Sequence, residues 1–381
     1  MLESLRIKRV ASIHIFVRDL ERSREYFVRK MGLIEIAIST PDFEFEHRAR
    51  ARVVEAGGAR IVLIEPLGSK GESFRWLKAH PEGVGRIVFE VEDVERAYRL
   101  LKERNATMVT GIERRRVEGG GVIWFDFATP LGDTLFRFVQ HDGEVPVLPN
   151  LERVAHSRNF RGAFSYGDVD HITSNFLTLQ PALSWMTNVM GLKQLWDISF
   201  HSQDLSHGRE SGTGLKSIVM YDPESGIKFA NNEPMAPNFN RSQIFLFCED
   251  HRGPGVQHIA LTVNNLVDAV RTIRRSGGQF IPTPGTYYDM LPERMKTAGF
   301  GPLDEDIDVL RELGILVDGS ESNQYLLQIF MSEASATFGD PQAGPLFFEL
   351  IQRKGDYGFG AGNFRALFDS IERQQELEGR L

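Results

Sequence analysis

Two stretches, "GVGRIVFEVEDVERAY" (Gly83–Tyr98) and "GVQHIALTVNNLVDAV" (Gly255–Val270), decide how this chain is organised. Aligned on Gly-Val, each runs from a short apolar segment into a helix-like segment. Arg86 of the first stands where the second has His258. The repeat extends in both directions. "SIHIFVRDLERSREYFVRKMGL" (Ser12–Leu33) matches "VDHITSNFLTLQPALSWMTNVMGL" (Val169–Leu192) in pattern: apolar strand, polar turn, amphipathic helix, Met-Gly-Leu. The glycine of that last motif is the expected helix stop. "TLFRFVQHDG" (Thr134–Gly143) answers "LFFELIQRKG" (Leu346–Gly355). Each half therefore has an opening βα unit, a second βα unit and a closing alternating strand.

Aligning His14 with His171 gives an interval of 72 residues to Arg86 against 87 to His258. The next interval is 51 to Arg137 against 91 to Glu349, so the second half is the same plan with insertions. The largest includes "YYDMLPERM" and "LDEDIDVLRELGI". Insertions between scaffold elements usually build lids and pocket walls. The stretch "GEVPVLPNLERVAHSRNFRGAFSYG" (143–167) reads as the connection. The expected division is an N-terminal domain at 1–145, a linker at 146–166 and a C-terminal domain at 167–381.

The three matched positions are His14, Arg86 and Arg137 in the first half, and His171, His258 and Glu349 in the second. Two imidazoles and a carboxylate form the ligand set of a mononuclear non-haem iron(II) site. Two guanidiniums cannot coordinate a cation, so the first half is expected to be metal-free. Alternation puts Phe347, Glu349 and Ile351 on one strand face, His258, Ala260 and Thr262 on another, and His171 with Thr173 on a third. A carboxylate amid "FFELI" is expensive to bury unpaired, and a metal supplies its cation.

Composition narrows the function classes. The chain has 381 residues, 41% hydrophobic and 25% charged, with 52 acidic against 44 basic residues and a net charge of -8. This fits two globular domains and gives no attraction to a phosphate backbone. No apolar run is long enough to span a bilayer, and the first residues do not resemble a signal peptide. The single cysteine, Cys248, suits a reducing compartment, so a cytoplasmic location is expected.

At these residues the chain resembles the 4-hydroxyphenylpyruvate dioxygenase family of the vicinal-oxygen-chelate superfamily. The stretches that carry the resemblance are "DVDHITSNF", "GPGVQHIAL", "YYDML", "LGILVD", "YLLQIF", "FFELIQRKG" and "GFGAGNFRALFDSIERQQE", in that order through the second half. The resemblance implies an α+β fold of tandem βαβββ modules forming two open β-barrels, with the metal in the C-terminal one. It implies Fe(II) held by His171, His258 and Glu349, a 2-oxo acid substrate and O2, and conversion to homogentisate and CO2 in tyrosine catabolism. It also implies polar substrate-side positions at Ser217, Asn232, Gln243, Gln257 and Gln328, of which Asn232, Gln243 and Gln328 take catalytic roles. Phe330, Phe347, Phe359 and Phe364 match the aromatic wall, with Asn363 between the last two. Assembly as a homo-oligomer is expected, with neither nucleic acid nor membrane as a partner.

Two physical readings accompany the carry-over. Alternation places Gln257 on the strand face opposite His258. The spacing of Phe364, Leu367, Phe368 and Ile371 gives the last helix an apolar stripe, readable as core packing or as a lid. Two departures stand out: "TSNF" after the first histidine, where relatives carry a glycine-containing segment, and the long connection "MSEASATFGDPQAG" before the glutamate strand. The alternatives are hydroxymandelate synthase, an extradiol catechol dioxygenase, and a non-catalytic small-molecule-binding member of the superfamily.

Overall fold

The alternating segments form two curved sheets in a computed structural model, which describes residues 2–117, 119–143, 145–154, 164–201, 213–236, 238–358 and 363. The first sheet holds β1 (Ile7–Phe16), β2 (Ile34–Ser39), β3 (Ala49–Ala56), β4 (Ala59–Pro66), β5 (Gly83–Val91), β6 (Glu113–Val117), β7 (Gly120–Ala128), β8 (Leu135–Gly143) and β9 (Leu151–Arg153). The second holds β10 (Tyr166–Asn175), β11 (Lys193–His201), β12 (Gly214–Tyr221), β13 (Lys228–Met235), β14 (Gly255–Val263), β15 (Leu316–Glu321), β16 (Gln324–Phe330) and β17 (Phe347–Lys354). Their spatial orders are β6-β7-β8-β5-β1-β4-β3-β2-β9 and β11-β12-β13-β10-β14-β17-β16-β15.

Each sheet is a pair of βαβββ modules joined along an antiparallel seam, β1 with β5 and β10 with β14. Within a module the first strand returns to lie parallel to the fourth: β1 with β4, β5 with β8, β10 with β13, β14 with β17. Parallel neighbours need a crossover, and helices supply it. The helices Val94–Glu103 and Leu266–Arg275 show the duplication most plainly. Asp93 and Asn265 cap them by accepting from the N–H groups of Arg96 and Asp268, both at 3.0 Å. The earlier helices, Leu20–Glu25 and Gln180–Trp185, both pass into a wider turn, at Tyr26–Lys30 and Met186–Met190, before Met-Gly-Leu. The stretch between the halves contributes β9, which pairs with β2.

Strand pairing corrects one alignment made from the sequence. His14 lies opposite Arg86 across the first seam, and the residue opposite His258 across the second is Thr173. His171 lies opposite Ala260, and its counterpart is Ser12, opposite Val88. Chain spacing agrees: His14 to Gly32 and Thr173 to Gly191 are both 18 residues, whereas His171 to Gly191 is 20. A shared histidine letter masks a two-residue offset. The first barrel thus has Ser12, Arg86 and Arg137 at the three positions, two of them guanidiniums, which do not ligate cations.

The halves share one hydrophobic cluster. Phe229 of β13 packs on Phe136 at 6.0 Å and Phe89 at 6.2 Å, ring centre to ring centre. Phe27 of the first half meets Phe348 of β17 edge-on at 5.3 Å. The Tyr166 hydroxyl donates to the Met31 carbonyl at 2.7 Å. Because these rings are buried from both sides, the halves should unfold together. Phe229→Ala is expected to lower stability by about 3–5 kcal/mol, the usual cost of deleting a core phenylalanine. Circular dichroism in urea should show one transition at a lower midpoint; two separated transitions would contradict the shared core.

Candidate metal centre

Three central strands of the second sheet bring His171 (β10), His258 (β14) and Glu349 (β17) together. Their exposures are 4%, 3% and 1%. His171 Nε2 lies 3.1 Å and His258 Nε2 3.4 Å from the same oxygen, Glu349 Oε2. One ligand atom from each residue lies within 4.8 Å of the other two. Phe347, Phe348, Leu350 and Ile351 surround the carboxylate along its own strand, all buried.

The outer nitrogen of each ring is taken by the residue just before it. His171 Nδ1 is 2.9 Å from Asp170 Oδ1, and His258 Nδ1 is 3.2 Å from Gln257 Oε1. In a regular strand neighbouring side chains face opposite ways, so neither contact could form. The seam has bulges at both places: pairing skips Asp170 between Val169 and His171, and skips Gln257 between Val256 and His258. A bulge turns two consecutive side chains toward one side. The expectation that Gln257 faces away from His258 is therefore corrected. Asp170 is itself gripped by Arg353 of β17 through two bonds of 2.6 and 2.7 Å. With Nδ1 turned to Asp170 or Gln257, Nε2 is the nitrogen that each ring presents to the carboxylate.

Glu349 is held from its other oxygen. Gln328 Nε2 donates to Oε1 at 2.7 Å, Asn363 Nδ2 donates to Gln328 Oε1 at 2.8 Å, and the Tyr287 hydroxyl lies 2.7 Å from Asn363 Oδ1. Glu349 Oε2, wholly buried, faces the two imidazole Nε2 atoms and has no other donor among the described residues. A buried anionic oxygen between two imidazole nitrogens fits a divalent cation bound on one face.

The electrostatics point the same way. Burial acts against charge on all three groups. At Glu349 the charge and hydrogen bonds of His171 and His258 together outweigh it and hold the carboxyl well below its ordinary range. At His171, Glu349 and Asp170 outweigh burial and raise the imidazole. At His258 burial prevails and the imidazole is lowered. A proton on His171 thus occupies the place that a metal would take.

The remaining expected residues fall into two groups. Gln257, Gln328, Asn363, Phe330 and Phe347 cluster at the triad, with Phe347 stacked on His258 at 4.9 Å and Phe330 edge-on at 5.8 Å. Ser217 and Asn232 sit opposite each other on β12 and β13, both buried. Asn232 Nδ2 donates to Asn175 Oδ1 at 3.0 Å, leaving Asn232 Oδ1 and the Ser217 hydroxyl unpartnered. Gln243 is buried at the start of the helix Gln243–His251, whose cap Ser242 donates to the Gly214 carbonyl on β12. Phe359, Phe364 and the apolar stripe of the last helix lie outside the described residues.

Sequence reasoning missed four contributors. Asn175 continues the period-two series His171, Thr173, Asn175, so its signal was present. Asp170, Arg353 and Tyr287 gave none, because their roles depend on a bulge or on contacts between distant elements.

Comparisons with known proteins agree with this geometry. Two models of the Glyoxalase/Bleomycin resistance protein/Dioxygenase superfamily match residues 12–125 and 168–294, one in each half. The 4-hydroxyphenylpyruvate dioxygenase of Coccidioides posadasii is 31% identical, over 97% of this chain and 93% of that one. The enzyme of the same name from Dictyostelium discoideum is 30% identical, over 97% and 98%. Among solved structures, a triple mutant of 4-hydroxymandelate synthase from Streptomyces coelicolor superposes with a TM-score of 0.79 at 24% identity, covering 97% of this chain and 99% of that one.

Two outcomes follow from the site. Because His171 is raised, a divalent metal must displace its proton, so binding at pH 7 should release about one proton and tighten as pH rises toward the raised value. Calorimetry in buffers of different ionisation heat measures this; a heat independent of buffer would refute it. Asp170→Asn should weaken metal binding by about 10–100-fold, the usual cost of losing a partner that orients a ligand. A chelator competition titration reads that constant directly.

Proposed function

The chain belongs to the 4-hydroxyphenylpyruvate dioxygenase family, and we propose that it catalyses the family reaction, converting 4-hydroxyphenylpyruvate and O2 to homogentisate and CO2. The observation that carries the reading is the convergence of His171, His258 and Glu349 on one buried point, with Glu349 Oε2 facing both imidazoles. Iron(II) is the proposed metal, since two imidazoles and one carboxylate with open positions suit non-haem iron oxygenases. When bound, it supplies the redox chemistry of dioxygen, which imidazole and carboxylate cannot provide.

The chain's own residues account for the rest. Gln328, fixed by Asn363, holds one oxygen of Glu349 and leaves the other to the metal position. Asp170 and Gln257 set the direction of both imidazoles. Phe330 and Phe347 wall the centre beside His258, which keeps water from a reactive site and gives an aromatic ring a surface to pack on. Ser217, Asn232 and Gln243 are uncharged, so they can bind a phenol or carboxylate without exchanging a proton in the pH range of the reaction. Asn232 Oδ1 and the Ser217 hydroxyl are still unpartnered, as groups awaiting a substrate would be. Their task is orientation, converting a meeting of substrate and oxidant into a reaction within one complex.

Two further assignments belong to this proposal. A cytoplasmic location is supported by the lone Cys248, buried and free. A tyrosine-degrading role follows from the substrate. Among the described residues, no helix is long and apolar enough to cross a membrane.

Iron-loaded protein supplied with 4-hydroxyphenylpyruvate should consume O2 and yield homogentisate on chromatography. 4-Hydroxymandelate as product would move the assignment to benzylic hydroxylation, and a flat oxygen trace would favour a binding protein. Glu349→Gln should lose measurable oxygen uptake while retaining its circular dichroism spectrum.

A further inference from the structure

The first barrel encloses a cavity of about 140 Å3 where the second has its metal centre, bordered by the residues at matched positions, Arg86 and Arg137. Its walls are mixed. Phe16, Phe43, Ile64 and Trp124 give an apolar slot. Among its lining residues three buried polar groups have atoms with no hydrogen-bond partner: Arg86 Nε, the Ser73 hydroxyl and His14 Nδ1. Their residues are 6%, 2% and 0% exposed. Buried donors left unpaired cost free energy, and a ligand that pairs them recovers it.

Charge limits what that ligand can be. Arg137 is held twice by the buried Asp126, at 2.7 and 2.8 Å. Arg86 gives one nitrogen to Glu72 at 2.6 Å and to Asp126 at 3.3 Å. Arg115 bonds Glu46 at 2.7 Å. The cavity is lined by three arginines and three glutamates, with Asp126 behind them, leaving one negative charge in excess. His14 and His47 add none near neutral pH, because burial and the nearby guanidiniums lower both. Every guanidinium is already neutralised, so an anion gains little, while an uncharged acceptor can still use Arg86 Nε and Ser73.

We propose that the first barrel is a second ligand site, for an uncharged single-ring molecule that presents a hydrogen-bond acceptor, of the aromatic amide or phenol class. The volume agrees: a cavity of about 150 Å3 in another protein takes up benzene. The ring lies between Phe16, Phe43 and Trp124, and the acceptor meets Arg86 Nε and the Ser73 hydroxyl. Glu72, with its side chain 42% exposed, marks the open side.

Benzamide and its anionic isostere benzoate are suitable probes, titrated against the full chain by tryptophan fluorescence and calorimetry. Benzamide should bind once per chain, and in preference to benzoate. Ala49→Leu, which fills the cavity, should weaken benzamide at least tenfold, and Ser73→Ala several-fold. Ser73 has no partner to lose, so that variant keeps the test decisive should Ala49→Leu fail to fold. Glu349→Gln should leave the benzamide affinity unchanged, which separates this site from the metal centre. No saturable binding at millimolar benzamide, meaning a cavity filled by water only, would overturn the proposal. So would benzamide affinity that Ala49→Leu and Ser73→Ala leave intact, or a preference for benzoate.

Discussion

A carboxylate sealed into a wall of phenylalanine and leucine is the constraint on which this molecule depends. Glu349 is 1% exposed, and an unpaired carboxylate at such a point costs several kcal/mol even after relaxation. The second barrel meets that cost with two imidazoles, one amide and room for a cation. The first barrel meets the same cost with the charges exchanged. Arg137 occupies the position of Glu349, the carboxylate moves to the neighbouring strand as Asp126, and Arg86 stands where His258 would bind a metal. Both barrels therefore bury a compensated cluster of ions at the same height. A guanidinium is a permanent, self-contained cation, whereas an imidazole must borrow one. That is what the exchange of Arg86 for His258 accomplishes.

The bulges are the second requirement. A strand offers every other side chain to its concave face, so a histidine there ordinarily cannot be held by its neighbour in sequence. Skipping a residue in the pairing removes that restriction, and the register shifts three times along each seam. At the two shifts beside the ligand positions the first barrel has Ala11 and Gly85, where the second has Asp170 and Gln257. A Cβ on Gly85 would come within 2.2 Å of the Phe16 ring, so the first barrel packs an aromatic across the space. The second replaces Phe16 with Asn175 and frees that space for Gln257. The two histidine supports are chemically unequal: Asp170 is anionic and clamped by Arg353, Gln257 neutral.

Period-two alternation around His258 and Glu349 was enough to place both on inward faces, and the repeated Gly-Val and Met-Gly-Leu frames were enough to show the duplicated plan. What the sequence concealed is instructive. A bulge has no local signature, because it depends on which residue of another strand is skipped; hence alternation puts Gln257 on the wrong face and gives no sign of Asp170. The pairing of His14 with His171 failed for a related reason: identical letters concealed a two-residue offset that only hydrogen-bond register exposes. Tyr287, inside an insertion, joins the site through Asn363 from 76 positions along the chain. Spacing along a sequence holds no trace of such a contact.

The first half is more than a relic of duplication, because of which neighbours share a strand in the second. In β17, Glu349 faces the metal position while Phe348, one residue before it, faces the other way and packs on Phe27 of the first half. In β13, Asn232 faces inward while Phe229 rests on Phe89 and Phe136 of the first half. The two strands that position a ligand and an amide with an unpartnered oxygen are thus seated from behind by aromatic rings of the other barrel. Protein interiors are close-packed and transmit displacement, so loosening that seat would move Glu349 and Asn232 together. In the first barrel Arg86 and Arg137 are paired with Asp126 and Glu72, so no cation is needed there to bury the cluster. The first barrel could not have lost its outer face without disturbing the centre that its partner retains.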